Sequence, residues 1–203
     1  MQQKFLLNSI TGSYLDDLQI PEYQVEGDGS GLSTITSRSE PGCPLPERIA
    51  DLNSGVDFNI YKFDRSMSAG AKAMGFSGEI SRRQVLFVQD FVRFQWIECD
   101  GIKKKFGIGL RCFIHVSNYK GRIGYTSLSG IAANVELGNA RCTFHLATLG
   151  FAIDGKEIAN GLAPQGEYNV ENFGKLAVVF NNVLKLLNAS NTMKITVVEL
   201  PAV

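Results

Sequence analysis

The sequence has no excess of either charge and no long hydrophobic run. Twenty Lys and Arg residues balance twenty Asp and Glu residues, so the net charge is zero. Binding of nucleic acid or an anionic membrane through the overall field needs a surplus of basic residues, so we expect no nucleic-acid partner. No apolar run approaches the roughly 18 residues of a membrane-spanning helix, and residues 1–8 carry too short an apolar patch for a secretion signal. These features predict a cytoplasmic protein.

Cysteines and catalytic signatures are also scarce. The four cysteines, Cys43, Cys99, Cys112 and Cys142, lie far apart and form no CxxC pair. This spacing predicts reduced thiols, with neither a disulfide framework nor a common zinc module. The sequence contains no HExxH, GxSxG or Walker-type loop and no paired-carboxylate signature. An enzyme is thereby disfavoured without being excluded, and we predict no cofactor, no metal and no catalytic residue.

The residues that are present predict one globular domain preceded by an arm. Hydrophobic residues make up 44% of the chain, enough to bury a core, and 203 residues suffice for one full-sized domain. Residues 21–46 are rich in Gly, Ser, Thr and Pro, which break regular structure. We therefore divide the chain into residues 1–55, an irregular arm with a short anchor helix, and residues 56–203, a single α+β domain.

The clearest pattern in the domain is an alternation typical of long strands. Residues 56–63 predict a short strand and residues 85–99 a long one, whose apolar positions mostly share one parity. Asp100-Gly101 predicts a hairpin turn leading into a strand over residues 104–117. A plain two-residue turn would set Phe94 opposite Gly107, whereas a one-residue slip through a glycine bulge would pair Phe94 with Phe106. We favour the bulged register, which also pairs Val88 with Cys112.

A second hairpin and a helix complete the predicted domain. Residues 131–137 and 140–146 flank Gly138-Asn139, and a two-residue turn there would place Ala133 opposite Phe144. Apolar residues at helical spacing over residues 170–188 predict an amphipathic helix docked on the sheet. Alternation at Met193, Ile195 and Val197 predicts a last strand. The predicted fold is α+β: a twisted antiparallel sheet built from long hairpins, covered by one C-terminal amphipathic helix, with an irregular N-terminal arm.

A short repeat, Arg-Cys-x-x-His, is the strongest candidate for chemistry. It occurs at residues 111–115 and 141–145, and two Cys with two His could form a structural zinc site. On a strand, however, positions i and i+3 point to opposite faces, which separates thiols from imidazoles and also weakens a Cys-His nucleophile. The Arg and His residues share a face that could receive an anionic ligand or an acidic partner. A solvated sheet face or an interdomain contact is the alternative.

On the first long strand, the side chains that point away from the predicted core are more apolar than a solvated face requires. Phe87, Phe91 and Ile97 lie there, so the N-terminal segment, a second subunit or another protein should cover them. The candidate binding residues are therefore Arg111, His115, Arg141, His145, Phe87 and Phe91.

We expect a non-enzymatic protein-binding or self-assembling module, a subunit of a larger complex whose partner is another protein or a second copy. One alternative is a membrane-active protein of the pore-forming type that rearranges its long strands, and only this hypothesis involves membrane contact. Another alternative is a small Cys/His-dependent hydrolase or transferase.

Overall fold

The computed structural model describes residues 21, 23–27, 33–37, 42–52, 56–117, 141–151, 165–167, 182, 185 and 195–201. Most of these residues belong to strands. The strands are β1 Tyr23–Gly27, β2 Ser33–Ser37, β3 Val56–Phe63, β4 Val85–Cys99, β5 Ile102–Ser117, β6 Arg141–Leu149, β7 Gln165–Glu167 and β8 Val198–Leu200. The described helices are 3-10 turns at Ile49–Asp51 and Arg65–Met67 and the helix α1, Ser68–Ala73.

The long hairpin β4–β5 is confirmed, but its register is the plain one. Asp100 and Gly101 both have positive φ, 51° and 79°, as a type I′ turn requires. Phe94 lies opposite Gly107 rather than Phe106, so the predicted bulge is wrong. The reason lies further along the strands, where the plain register sets Asp90 opposite Arg111. A one-residue slip would have buried that carboxylate opposite a leucine, at a large desolvation cost.

The sheet is mixed, which corrects the prediction of a purely antiparallel one. Its strand order is β1-β2-β6-β5-β4-β3, with β7 on β6 and β8 on β5. β2 runs parallel to β6, with Ser33 opposite Ala147 and Ile35 opposite Leu149. The N-terminal arm was predicted to be irregular, yet two of its segments form β1 and β2. Burial of Ile35, which is 0% exposed, stabilises these short strands despite their weak local sequence signal.

The predicted C-terminal amphipathic helix is also corrected, because no such helix is among the elements of the described chain. The described helical segment is instead short, precedes β4, and runs from the 3-10 turn at Arg65–Met67 into α1. The Asp64 side chain caps it by accepting a hydrogen bond from the Ser66 backbone N–H at 2.8 Å. Of residues 170–188, only Asn182 and Lys185 are described, each as an exposed helical residue.

The second predicted hairpin is described only in its second arm, which is β6. Phe144 lies opposite Ile114 of β5 on one side and Gly166 of β7 on the other, so both edges of β6 are occupied there. Ala133, the predicted partner of Phe144, lies outside the described residues with the rest of residues 131–140, as does the predicted anchor helix. The last strand is Val198–Leu200, a few residues later than predicted.

Both faces of the central strands are buried, whereas the sequence predicted one core face. Residues 85–92 of β4 are all buried. We name the faces after two residues of β5. The Arg111 face packs against α1 and β2 through a cluster that includes Leu86, Val88, Val92, Met74 and Ile35. The Cys112 face carries the second cluster, which includes Phe87, Phe91, Ile97, Cys142 and Phe144.

Part of the N-terminal segment covers the Cys112 face. Residues 42–52, which we call the strap, place Ile49 and Leu52 in the cluster on that face. A disulfide joins Cys43 of the strap to Cys99 at the end of β4, across 56 residues of chain. The prediction of reduced thiols is therefore wrong for these two cysteines. Of the three covers proposed for Phe87, Phe91 and Ile97, the N-terminal segment is the one found in the described chain.

Candidate functional site

A buried ion pair lies at the centre of the Arg111 face. Arg111 donates from Nε and Nη2 to the two carboxylate oxygens of Asp90, each at 2.7 Å, and from Nη1 to the Met74 carbonyl at 2.9 Å. The ring of Tyr23 lies over the guanidinium, 4.9 Å from its centre. Strand pairing sets Asp90 opposite Arg111, the turn after α1 supplies the carbonyl, and β1 supplies the ring.

The electrostatics of this centre favour permanent charge on Arg111. Its side chain is fully buried, and burial by itself would lower the pKa of Arg111. The pKa is nevertheless raised, because the charge of the nearby Asp90 carboxylate more than offsets the effect of burial. Burial also raises the pKa of the Tyr23 hydroxyl to about 12. The bidentate geometry and buried surroundings are those of a structural ion pair that fixes β1 and α1 on the sheet.

Two half-buried histidines continue this face in a row of rings. The ring centroids of His115 and Phe76 are 6.0 Å apart, and those of Phe76 and Phe113 are 5.9 Å apart. The rings of Phe113 and His145 are stacked, with their centroids 6.1 Å apart. His145 Nε2 is 3.1 Å from the Ser33 hydroxyl. His115 Nε2 is buried and has no hydrogen-bond partner in the described part of the chain. Burial lowers the pKa of both imidazoles, so both favour the neutral form.

The six residues predicted for binding do not form one site. Arg111, His115 and His145 share a face, but Arg111 is fully buried and engaged by Asp90. Arg141 is exposed at the start of β6. Phe87 and Phe91 are buried on the opposite face of the sheet. Three of the guanidinium N–H groups of Arg111 already donate to Asp90 and to the Met74 carbonyl, and a role of these six residues in binding stays a prediction.

The two free thiols are separated from the histidines by the sheet. Cys112 and Cys142 are buried in the cluster on the Cys112 face. Burial raises the pKa of the Cys142 thiol to about 12 and raises that of Cys112 further, so neither forms a thiolate readily. In the described residues, no group of three or more Cys, His, Asp or Glu could hold a metal ion.

Two of the three exposed large apolar side chains among the described residues lie near the end of the β4–β5 hairpin. We call residues 94–105 the ribbon, because β3 pairs with β4 only up to Arg93 and β8 pairs with β5 only from Lys105. Trp96 is 37% exposed and Ile102 is 62% exposed, and they point to opposite faces. Lys103 and Lys105 place their ammonium groups 5.7 Å from the Trp96 ring and 4.2 Å from the Phe94 ring.

Sequence reasoning missed Asp90, Tyr23 and the Cys43–Cys99 pair. The sequence did contain a signal for Asp90, because its side chain points to the same face of the strand as the buried Val88 and Val92. A carboxylate at a core position needs a cation opposite it. That condition alone would have chosen the correct register. Tyr23 and Cys43 lie in the Gly/Ser/Pro-rich segment and gave no comparable local signal.

Comparisons with protein-family models, with curated proteins and with solved structures gave no match. Across the described residues, no helix has the length and apolar character needed to cross a membrane.

Proposed function

We propose that this protein is a non-enzymatic protein-binding or self-assembling module that contacts its partner through the ribbon. The observation that carries the proposal is the exposure of Trp96 and Ile102 near the end of the β4–β5 hairpin. Trp is the residue most enriched among those that dominate binding energy at protein interfaces, and Trp96 is the sole tryptophan of the chain.

The ribbon is also pre-organised, which supports the proposal. The disulfide to Cys43 ties the last residue of β4 to the strap, and the type I′ turn fixes the two strands. Lys103 lies over the Trp96 ring, which restricts the indole while leaving it accessible. A surface that is ordered before binding loses less conformational entropy when a partner docks.

Light scattering coupled to size-exclusion chromatography tests self-assembly directly. We expect a mass above that of one chain at micromolar concentration, and a loss of that assembly in Trp96→Ala and Ile102→Ser variants. Val25→Ser is the matched control, since Val25 is also apolar and 46% exposed but lies on β1. Trp96 fluorescence should shift to shorter wavelength as assembly removes the indole from water.

A binding partner other than a second copy is tested by purification from the native cell. Proteins retained by the wild type and by Val25→Ser, but lost with Trp96→Ala, would support the proposal. A protein that stays monomeric at every concentration and retains nothing through Trp96 would contradict it.

The proposal includes the cytoplasmic location predicted from the sequence. Stable disulfides are rare in that compartment, where those that form are usually transient. Alkylation of free thiols in intact cells, followed by mass spectrometry of the peptides with Cys43 and Cys99, tests this location. The membrane-active and Cys/His-dependent alternatives stay predictions.

A further inference from the structure

The strap is held differently at its two ends. Its second half is anchored by the buried side chains of Ile49 and Leu52 and by a hydrogen bond from Arg93 Nη2 to the Leu52 carbonyl at 3.1 Å. The first half, residues 42–48, has four exposed residues, Gly42, Pro44, Glu47 and Arg48. Within this half, Leu45 is partly buried and packs against the same cluster, and the Glu47 carbonyl accepts a hydrogen bond from the Ile195 N–H at 3.4 Å. A covalent bond between Cys43 and Cys99 also fastens this half to the sheet.

We propose that the Cys43–Cys99 disulfide is a redox-controlled fastening of the strap, and that its reduction frees residues 42–48 while the sheet stays folded. This inference concerns the strap and does not require that the ribbon binds a partner. Its basis is the placement of the bond: it joins the rim of the core to a largely exposed segment, whose non-covalent contacts include one partly buried leucine, Leu45, and a backbone hydrogen bond of 3.4 Å from Ile195 to Glu47.

The reaction needs a thiol reductant, and a dithiol supplies both electrons. One thiolate of the dithiol attacks Cys43 Sγ, the more accessible sulfur, and the electron pair of the broken bond leaves with Cys99 as a thiolate that takes up a proton. The second thiol of the reductant then displaces Cys43, which leaves as a thiol. The protein gains two electrons and two protons, and the reductant becomes a cyclic disulfide.

The remaining cysteines do not interfere with this exchange. Cys112 and Cys142 are buried, and burial disfavours their thiolates, the form that attacks a disulfide. Reshuffling to another pairing is therefore slow in the folded protein. The redox chemistry is therefore confined to the Cys43–Cys99 bond.

Opening of the strap would change the surface beside the ribbon. Ile97 and Cys99 are 7% and 3% exposed in the cluster to which the strap belongs. Ile102, opposite Cys99 in the hairpin, already presents an apolar side chain at this position. Release of residues 42–48 would join these groups into one larger apolar surface, available only to the reduced protein.

Hydrogen–deuterium exchange with mass spectrometry tests the proposal on the wild-type protein. Dithiothreitol is the reductant, and iodoacetamide labelling with mass spectrometry verifies the state of each cysteine. We expect the amides of Leu45 and Ile195, which donate to the carbonyls of Cys43 and Glu47, to exchange about tenfold faster or more on reduction, because exchange follows the population of the open segment. The amides of β4 are the internal control and should keep their rates.

A variant separates loss of the bond from effects of the reductant. In Cys43→Ser/Cys99→Ser, the amides of Leu45 and Ile195 should exchange at the fast rate with or without dithiothreitol. Equal exchange of these amides in verified oxidised and reduced protein would overturn the proposal. So would parallel acceleration in β4 with loss of the far-UV circular dichroism of the sheet, since the disulfide would then support the whole fold.

Discussion

Replacing Asp90 and Arg111 separately and together should give strongly non-additive losses of stability. Both side chains are almost fully buried, at 1% and 0% exposure, so removing one leaves an uncompensated charge in the core. Such a loss costs about 3–5 kcal/mol. We expect this range for Asp90→Val and for Arg111→Met, the second near its upper end because the Met74 carbonyl also loses its donor.

The double variant removes both charges and should recover most of that loss. The remaining defect is the Met74 carbonyl, and an orphaned buried acceptor costs about 1–3 kcal/mol. The coupling free energy should therefore be at least about 3 kcal/mol. Equilibrium unfolding in urea with a common m-value measures all four proteins. Coupling below about 1 kcal/mol would refute the view that this pair interacts as a buried unit.

Three further predictions concern the disulfide, a glycine and a histidine. The disulfide closes a loop with a sequence separation of 56, so the Cys43→Ser/Cys99→Ser variant should lose about 4 kcal/mol of unfolding free energy; an unchanged urea midpoint would contradict this. Gly109→Ala should destabilise by about 1–3 kcal/mol, because a Cβ there would meet the Phe91 carbonyl oxygen. Gly101→Ala, with open space around it, should lose only about 1 kcal/mol from its positive φ, and equal losses in the two thermal melts would count against close backbone approach. Burial lowers the pKa of His115, so the unfolded chain binds more protons; stability should fall as pH drops below about 6.5, less steeply in His115→Phe than in wild type.

The parts of the fold that sequence predicted well are those with strong local signals. The bounds of β4 follow from its long alternation, and the turn follows from Asp100-Gly101, which tolerates positive φ at both positions. The strand over residues 56–63 also carried enough alternating apolar residues. These features need no knowledge of distant contacts.

The parts that failed depend on partners far away in sequence. β1 and β2 are short and lie in a Gly/Ser/Thr-rich stretch, so their strand conformation depends on pairing with β6 and on burial of Ile35. The disulfide depends on three-dimensional approach of Cys43 to Cys99, which spacing alone does not reveal. The hairpin register failed for a different reason: the prediction took no account of the buried carboxylate of Asp90, whose desolvation requires Arg111 opposite it.

The same holds for the candidate site. Alternation predicted that Arg111, His115 and His145 share a face, and the structure places them on one. It could not show that Arg111 is already engaged, because its partner was not recognised. Their role in binding stays a prediction.

The parallel pairing of β2 with β6 also constrains how the chain can fold during synthesis. Ser33 and Ala147 are neighbours in space but are separated by most of the chain, and closing so long a loop is entropically costly and slow. During synthesis on the ribosome, Ile35 cannot pair with β6 until β6 has been translated. Until then the β4–β5 hairpin can form alone, because its contacts are local. The apolar surface that later packs against β2 stays exposed during this time, where chaperones can bind it or aggregation can begin.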